Sequence, residues 1–201
     1  MATRGFVGRR RPTPPGRLPP GQYDVGHDFP VLTAEATPVV RPETWTLTVD
    51  GLVANEHTWT WDDLHRVPQS EYRGDIHCVT TWSKFDTTFG GVSLDVLFDA
   101  VEPLPTATHV FVTSTTGYTT NLPLDELRGG KAWVVWTFDG KPLPREHGGP
   151  VRLLVPRLYF WKSAKWVTKL TLRDHDQQGF WERNGYHDLG DPWLEQRYQG
   201  D

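Results

Sequence analysis

A chain of 201 residues is long enough for one large domain or two small ones. Ten tryptophans and 17 prolines accompany a single methionine, and this mixture favours strands and structured loops over a helical bundle. The single cysteine excludes a disulfide framework and a cysteine-based zinc site, and the lack of a long apolar run excludes a membrane-spanning helix.

The net charge of −4 is unevenly distributed, because a basic arm precedes an acidic remainder. Residues 1–23 hold five arginines and no acid, whereas the rest of the chain carries 16 basic and 25 acidic side chains. We therefore divide the chain into a proline- and glycine-rich arm over residues 1–22 and one domain over residues 23–201. The consecutive Arg9, Arg10 and Arg11 match two patterns, a nucleic-acid patch and a twin-arginine export signal.

The surroundings of these arginines favour neither pattern. An export signal requires an apolar stretch after the arginines, and Pro12-Thr13-Pro14-Pro15-Gly16 follows instead. The acidic remainder of the chain repels nucleic-acid phosphates. We therefore expect the arm to lie against the acidic domain, and we expect a cytoplasmic protein with no nucleic-acid partner.

Hydrophobic periodicity predicts many short strands and few helices, and hence a β-rich α+β domain. The predicted elements, in chain order, are strands over 45–49 and 57–61, a helix over 61–66 capped by Thr60, a strand over 72–79, a helix over 94–101 capped by Ser93, strands over 109–114 and 118–122, a helical turn over 124–127, and strands over 132–138, 151–155 and 166–172. The tail from Asp174 is polar and aromatic without a clear period.

Cys78 stands where the predicted strand 72–79 enters a polar and aromatic loop. A lone cysteine is most often a small buried hydrophobic residue, and thiolate chemistry requires a nearby positive charge or a metal. A cysteine-protease site is disfavoured, since no helix-borne cysteine with an upstream oxyanion loop is visible. A soft thiolate is, however, a natural ligand for a sulfur-bound metal centre.

Two basic loops follow later in the chain. The first, residues 141–156, has His147 and Arg152 on either side of Gly148-Gly149, a pair that permits close backbone approach to a ligand. The second, residues 159–166, contains two lysines. Each loop is also compatible with an ordinary turn whose charges are solvated. Together with Cys78 they suit an anionic, phosphate-bearing cofactor, although no dinucleotide or P-loop motif is present.

Four motifs in order resemble the molybdopterin domain of the sulfite oxidase family. They are the early segment 26–31 with the strand 45–51 behind it, the Cys78-Val79-x-x-Trp82-Ser83 setting, the segment 147–156, and Ser163-Ala164-Lys165-Trp166. The similarity covers about residues 20–198 and is greatest to small prokaryotic members, which include a protein-methionine-sulfoxide reductase catalytic subunit. The resemblance implies the family's molybdopterin-binding fold and a molybdenum–molybdopterin cofactor.

The resemblance also implies roles for individual residues. Cys78 matches the cysteine whose thiolate bonds molybdenum, and Tyr186 matches the stretch that places a tyrosine on the substrate side of the metal. His147 and Arg152 match residues that hold the phosphate end of the pterin. The full set of implied cofactor-binding residues is Gly26, His27, Asp28, Ser114, His147, Arg152, Ser163, Ala164 and Lys165.

The chain departs from the animal sulfite oxidases at positions that would bind an anionic substrate. Gly26 stands where those enzymes have an arginine, and Trp82-Ser83-Lys84 replaces basic residues after the metal cysteine. Sulfite is a dianion near neutral pH, so the loss of guanidinium partners weakens the case for sulfite.

The predicted function is oxygen-atom transfer to or from a small sulfur or nitrogen oxide, with an unidentified electron-transfer partner. The substrate is then a small oxyanion or a sulfoxide. Reduction of methionine sulfoxide is the alternative enzyme activity. A non-catalytic module that holds a pterin or a partner protein is the alternative from another class.

Overall fold

Residues 16–201 are described by the computed structural model, and two β-sheets carry their fold. The strands in chain order are β1 (Tyr23–Asp24), β2 (Thr46–Gly51), β3 (His57–Thr60), β4 (Ser70–His77), β5 (Trp82–Ser93), β6 (His109–Ser114), β7 (Thr119–Pro123), β8 (Trp133–Phe138), β9 (Lys141–Pro142), β10 (Arg152–Leu154) and β11 (Val167–Arg173). The α-helices are α1 (Trp61–Arg66) and α2 (Leu94–Val101). Several single 3₁₀ turns also occur along the described part of the chain. The β-rich α+β prediction is confirmed.

The first sheet is built around the long strand β5. β5 pairs antiparallel with β4 and β8 and parallel with the short β1, while β10 and β9 pair with β8. The second sheet has the order β3-β2-β11-β6-β7, in which only the β11–β2 pair is parallel. The turn of the β4–β5 hairpin therefore projects Cys78 from the first sheet.

Strand periodicity divides the apolar side chains between two clusters. Because successive side chains on a strand face opposite ways, Val134 of β8 points into the large cluster that lies between the sheets and α2, whereas Val135 points into a smaller one. The smaller cluster also contains Ile76, Cys78 and Trp82. The candidate metal ligand thus stands on an apolar base outside the main core.

Both predicted helices begin at their predicted caps. The Thr60 side chain accepts a hydrogen bond from the Asp63 N–H, and the Asp63 carboxylate accepts from the Thr60 N–H, which is a reciprocal capping box. Ser93 accepts from the Asp95 N–H in the same way, and α2 buries its apolar face through residues such as Leu97 and Phe98. These short helices tie strand ends to the core.

The predicted strands lie within one or two residues of the observed ones, but β5 and the two-residue strands β1 and β9 are missing from the prediction. Arg9, Arg10 and Arg11, which suggested a nucleic-acid patch or an export signal, lie outside the described residues. Of the predicted arm's arginines, Arg17 is described, and its guanidinium forms ion pairs with Asp75, at 2.7 Å, and Asp86.

Candidate functional site

A cavity of about 300 Å³ opens where six separate segments of the chain meet. Residues 29–35 close one side of the cavity. They are part of the segment 29–37, which we call the strap. The other sides come from the loop after β4, the turn between β6 and β7, the turn before β10, the turn between β10 and β11, and the tail. The cavity therefore depends on the whole fold and not on one motif.

Cys78 lies at the cavity because a tight turn joins β4 to β5. The Cys78 N–H donates to the Trp82 carbonyl at 2.8 Å, and the Thr81 N–H donates to the Cys78 carbonyl at 3.0 Å. The sulfur lies 3.2 Å from the Thr80 hydroxyl oxygen and is largely buried. Burial raises the pKa of the Cys78 thiol, so a bound metal is the group that would deprotonate it.

Arg152, at the start of β10, brings a buried positive charge to the cavity. Its guanidinium donates to three backbone carbonyls, those of His147 at 2.7 Å, Ser163 at 2.6 Å and Leu153 at 3.3 Å. It also lies 3.9 Å from the centre of the Phe160 ring. Burial lowers the pKa of Arg152 to about 9, because carbonyl dipoles compensate the lost hydration incompletely.

Lys165 and His147 complete what we call the basic end of the cavity, together with Arg152. The Lys165 ammonium donates to the carbonyls of Leu32, at 2.8 Å, and Glu146, at 2.6 Å. Burial, reinforced by the charge of Arg152, lowers the pKa of Lys165 to about 8. The same two causes, with Lys165 adding to them, lower the pKa of His147 to about 4, so His147 is neutral at pH 7.

Two glycines bring these basic groups together. Gly148 has φ +107°, and a Cβ there would lie 2.9 Å from the Arg152 Cβ and 3.1 Å from the Lys165 Cβ. A Cβ on Gly149 would lie 2.1 Å from the Leu143 carbonyl oxygen. The close approach expected of this pair is therefore made to the protein's own chain, which positions the basic end.

The lining fits an anionic, ring-bearing cofactor. The two cations, Arg152 and Lys165, donate their hydrogen bonds to uncharged carbonyls. A bound phosphate would place negative charge beside them and raise the pKa values that burial has lowered. Trp82, which also lines the cavity, has a buried indole N–H with no partner in residues 16–201. An orphaned donor of this kind is satisfied by an acceptor on a bound ring. Cys78 provides the one soft ligand.

Three aromatic residues from the 160–166 turn and the tail form another part of the lining. We call Trp161, Trp181 and Tyr186 the aromatic wall. The Tyr186 ring lies 5.3 Å from Trp161 and 4.9 Å from Trp181, centre to centre. Burial raises the pKa of Tyr186, so its phenol keeps its proton and can donate a hydrogen bond. This wall offers apolar area with one neutral donor.

The structure brings most of the predicted site residues together. Those that line the cavity are Cys78, His147, Arg152, Ser163, Ala164, Lys165 and Tyr186. Ser163 and Lys165 are held at β10 by backbone contacts: the Ser163 hydroxyl accepts from the Val155 N–H at 2.9 Å, and Lys165 forms a bridge with Arg152. Their roles toward a cofactor remain predictions.

Four predicted residues lie outside the cavity lining. Gly26, His27 and Asp28 are on the surface beside β5, and the Lys84 ammonium donates to the carbonyls of Gly26, at 3.0 Å, and His27, at 3.3 Å. Ser114 is buried, and its hydroxyl donates to the Lys165 carbonyl at 2.6 Å. Ser114 therefore supports Lys165 from behind. The strap, immediately after Asp28, supplies the lining instead.

Sequence reasoning missed several lining residues, chiefly Phe29, Phe160 and Trp181. The Phe29 ring stacks on His147 at 3.7 Å with an interplanar angle of 10°. The signal that was available is the concentration of aromatic residues in loops, where large flat side chains have no strand face to cover. Periodicity does not report on such residues.

The chain matches the oxidoreductase molybdopterin binding domain family over residues 34–181. It is 41% identical over 187 residues to the uncharacterized oxidoreductase YuiH of Bacillus subtilis, with 92% of this chain and 94% of that protein covered. It is 30% identical over 161 residues to the protein-methionine-sulfoxide reductase catalytic subunit MsrP of Gluconobacter oxydans, with 71% of this chain and 51% of that protein covered. The chain thus spans about half the length of this reductase.

Among solved structures, the sulfane dehydrogenase SoxCD of Paracoccus pantotrophus has the same fold. The TM-score is 0.64 at 20% identity, and the match covers 70% of this chain and 41% of that one. Within residues 16–201, no helix is long and apolar enough to cross a membrane.

Proposed function

Because the chain belongs to the oxidoreductase molybdopterin binding domain family, that is, to the sulfite oxidase family, and binds a molybdopterin cofactor, we propose that it transfers an oxygen atom from an uncharged sulfoxide. Membership of this family of oxidoreductases also argues against the alternative of a non-catalytic binding module. The direction of transfer and the substrate class are our proposal.

The basic end is the proposed binding site for the phosphate of the cofactor. Arg152 and Lys165 would form charge-assisted hydrogen bonds to the phosphate, and Trp82 would donate its indole N–H to the ring system. Cys78 would be the protein's ligand to molybdenum. When bound, this cofactor supplies oxygen-atom transfer coupled to a two-electron change at the metal.

The charge distribution of the lining supports a sulfoxide over sulfite. The basic side chains among the lining residues are His147, Arg152 and Lys165, all at the proposed phosphate end. The aromatic wall carries no charge. Arg197, a cation near Cys78 but outside the lining, donates to the Val79 carbonyl at 2.6 Å and packs over the Tyr159 ring. Within residues 16–201 a dianion would meet no available guanidinium there, whereas a neutral sulfoxide requires only apolar contact and one donor.

Tyr186 is the proposed donor to the sulfoxide oxygen. As the sulfur–oxygen bond breaks, negative charge grows on that oxygen, and a phenol hydrogen bond strengthens with it. Trp161 and Trp181 would exclude water and contact the substituents on sulfur. The overall reaction consumes the sulfoxide, two protons and two electrons and yields the thioether and one water molecule. It balances when a one- or two-electron donor supplies the electrons.

Purified holoprotein tests this proposal directly. We expect about one molybdenum per chain, and a kcat/KM with methionine sulfoxide and reduced benzyl viologen at least tenfold above that with sulfite and ferricyanide. The Cys78→Ser variant is the matched control, since it removes the soft thiolate but little volume, and it should fold normally without turnover. A kcat/KM for sulfite above that for the sulfoxide, or near-normal activity of Cys78→Ser, contradicts the proposal.

A further inference from the structure

A fully buried ion pair lies directly behind the aromatic wall. The Lys162 ammonium is 2.6 Å from the Glu182 carboxylate, and both side chains are 0% exposed. The ammonium also donates to the Asn121 backbone carbonyl at 2.8 Å and to its side-chain oxygen at 3.0 Å. Three distant segments, β7, the turn at 160–162 and the tail, are joined at this point.

Glu182 holds the aromatic wall through one oxygen atom. Its Oε1 accepts a hydrogen bond from the Trp161 indole N–H at 2.9 Å, and another from the Thr120 hydroxyl at 3.0 Å. The remaining members of the wall, Trp181 and Tyr186, flank Glu182 in the chain, and the Tyr186 N–H donates to the Trp181 carbonyl at 3.1 Å. The carboxylate thus bonds the Trp161 ring directly, and the Tyr186 ring packs on Trp161 at 5.3 Å and on Trp181 at 4.9 Å between ring centres.

The Trp161 ring is fixed on its other sides as well. Tyr159 stacks on it with an interplanar angle of 19°, and a Cβ on Gly190 would lie 2.8 Å from the indole. The Tyr118 hydroxyl donates to the Trp161 carbonyl at 2.7 Å. With these contacts in place, the acceptor on Glu182 determines the in-plane orientation of the indole.

Stability alone does not account for this ion pair. Two charges lose hydration on burial, and apolar replacements of similar volume often leave a protein equally stable. The Glu182 Oε2 atom has no hydrogen-bond partner in residues 16–201. An imperfectly compensated pair at this position is better explained by the orientation that it imposes on its neighbours.

We propose that Glu182, held by Lys162, is a positioning residue that sets the placement of the aromatic wall and thereby the sulfoxides that the cavity accepts. The inference rests on the proposed function, because that function makes this wall the substrate side. Glu182 touches neither substrate nor cofactor in this scheme. It acts through Trp161 and the flanking Trp181 and Tyr186.

The decisive variant is Lys162→Met/Glu182→Leu, which removes both charges without leaving either unpaired. We expect normal folding and molybdenum content, a KM for methionine sulfoxide raised at least tenfold, and a kcat that falls by less than tenfold, because the Tyr186 hydroxyl is retained. Lys162→Met/Glu182→Gln restores an acceptor for the Trp161 N–H without restoring the charges. It should return the KM to within threefold of the parent.

A second readout does not depend on activity. In protein labelled with 3-fluorotyrosine, the ¹⁹F resonance of Tyr186 is assigned by its loss in Tyr186→Phe. We expect this resonance to move or broaden in the Met/Leu variant and to return in the Met/Gln variant. Ser93→Ala, which weakens the cap of α2 outside the cavity lining, controls for general destabilisation and should leave the resonance in place.

The two readouts separate this inference from the proposed function. A parent that does not reduce sulfoxides, combined with the expected ¹⁹F pattern, supports the positioning role and rejects the substrate. An unchanged Tyr186 resonance and an unchanged KM in the Met/Leu variant overturn the positioning role. Equal effects of the Met/Leu and Met/Gln variants overturn it too, because the acceptor would then be irrelevant.

Discussion

Arg152 is a buried cation whose hydrogen bonds all go to backbone carbonyls. A phosphate at the basic end would complete its charge balance, and a charge-assisted hydrogen bond contributes about 1.5–3 kcal/mol. We therefore expect Arg152→Ala to weaken cofactor retention about 10- to 100-fold. Molybdenum per chain, measured after gel filtration, checks this. The exposed Arg66, which pairs with Asp63, provides the control variant Arg66→Ala; equal molybdenum content in both variants contradicts the prediction.

Tyr186 permits a narrower test on the substrate side, because Tyr186→Phe removes the hydroxyl and keeps the ring packing against Trp161 and Trp181. We expect unchanged molybdenum content and a turnover lowered about ten- to a hundredfold, equivalent to about 1.4–2.8 kcal/mol of transition-state stabilisation. Steady-state kinetics normalised to molybdenum measure the effect. Tyr198→Phe changes a more exposed neighbour of Tyr186 and should leave turnover within twofold. Unchanged kinetics of Tyr186→Phe would remove this residue from the site.

At the scale of elements, the strap has no regular secondary structure, and three side-chain contacts hold it across the cavity. Phe29 stacks on His147, the Lys165 ammonium bonds the Leu32 carbonyl, and Arg145 donates to the Thr37 carbonyl at 3.3 Å. Two of these three contacts are made by residues of the basic end, His147 and Lys165. A bound phosphate and the strap would therefore share the same side chains, which couples strap closure to cofactor binding.

Removing the ring of Phe29 should loosen the strap. Phe29→Ala deletes the stack on His147 and the edge contact with Trp82, at 6.1 Å between ring centres. We expect the cofactor to leave at least threefold faster, as followed by pterin fluorescence after dilution of the holoprotein. Val39→Ala, at a position that is 72% exposed, is the matched control. Equal release rates in the two variants would show that the strap does not retain the cofactor.

The sequence predicts the regular elements well and the irregular ones poorly. Alternation of apolar residues identifies β2 and β11, a continuous apolar run identifies β10, and capping residues identify α1 and α2. β5 is missed because its register shifts twice against its neighbours, and Asp86 has φ 54° within it. Gly91, typical of a turn, is needed in this strand, since a Cβ would lie 2.0 Å from the Val134 carbonyl oxygen.

At the scale of the whole molecule, the cavity is assembled from segments more than 150 positions apart, from Phe29 to Tyr186. Residue chemistry alone indicates that Cys78 and the basic loops suit an anionic cofactor, and the family resemblance supplies their common location. The resemblance gives Tyr186 but not the rest of the aromatic wall, because Trp161 and Tyr186 are brought together by the packing of the tail and by the Lys162–Glu182 pair. Such long-range contacts leave no periodic pattern in the sequence.

The burial of Lys165 beside Arg152 also contributes to the pH dependence of stability. Burial, followed by the charge of Arg152, lowers the pKa of Lys165 from 10.5 to about 8. Between these values the unfolded chain binds a proton that the folded chain has released, so the free energy of unfolding rises with pH in this window. Well below pH 8, Lys165 is protonated in both states and the unfavourable burial of the cation is fully present. Arg152, lowered to about 9, acts in the same direction above that pH.

We therefore expect cofactor-free protein to gain stability between about pH 8 and 10, and the holoprotein to gain less. The phosphate would raise the pKa of both cations and thereby reduce the difference in bound protons between the folded and unfolded states. Urea-unfolding midpoints at pH 8 and pH 10 measure the gain for both forms. Lys165→Met removes one of the two titrating groups and should reduce the gain in the cofactor-free protein, whereas Lys131→Met, at an exposed lysine, should not. A gain in Lys165→Met equal to that of the parent would show that Lys165 is not the group responsible.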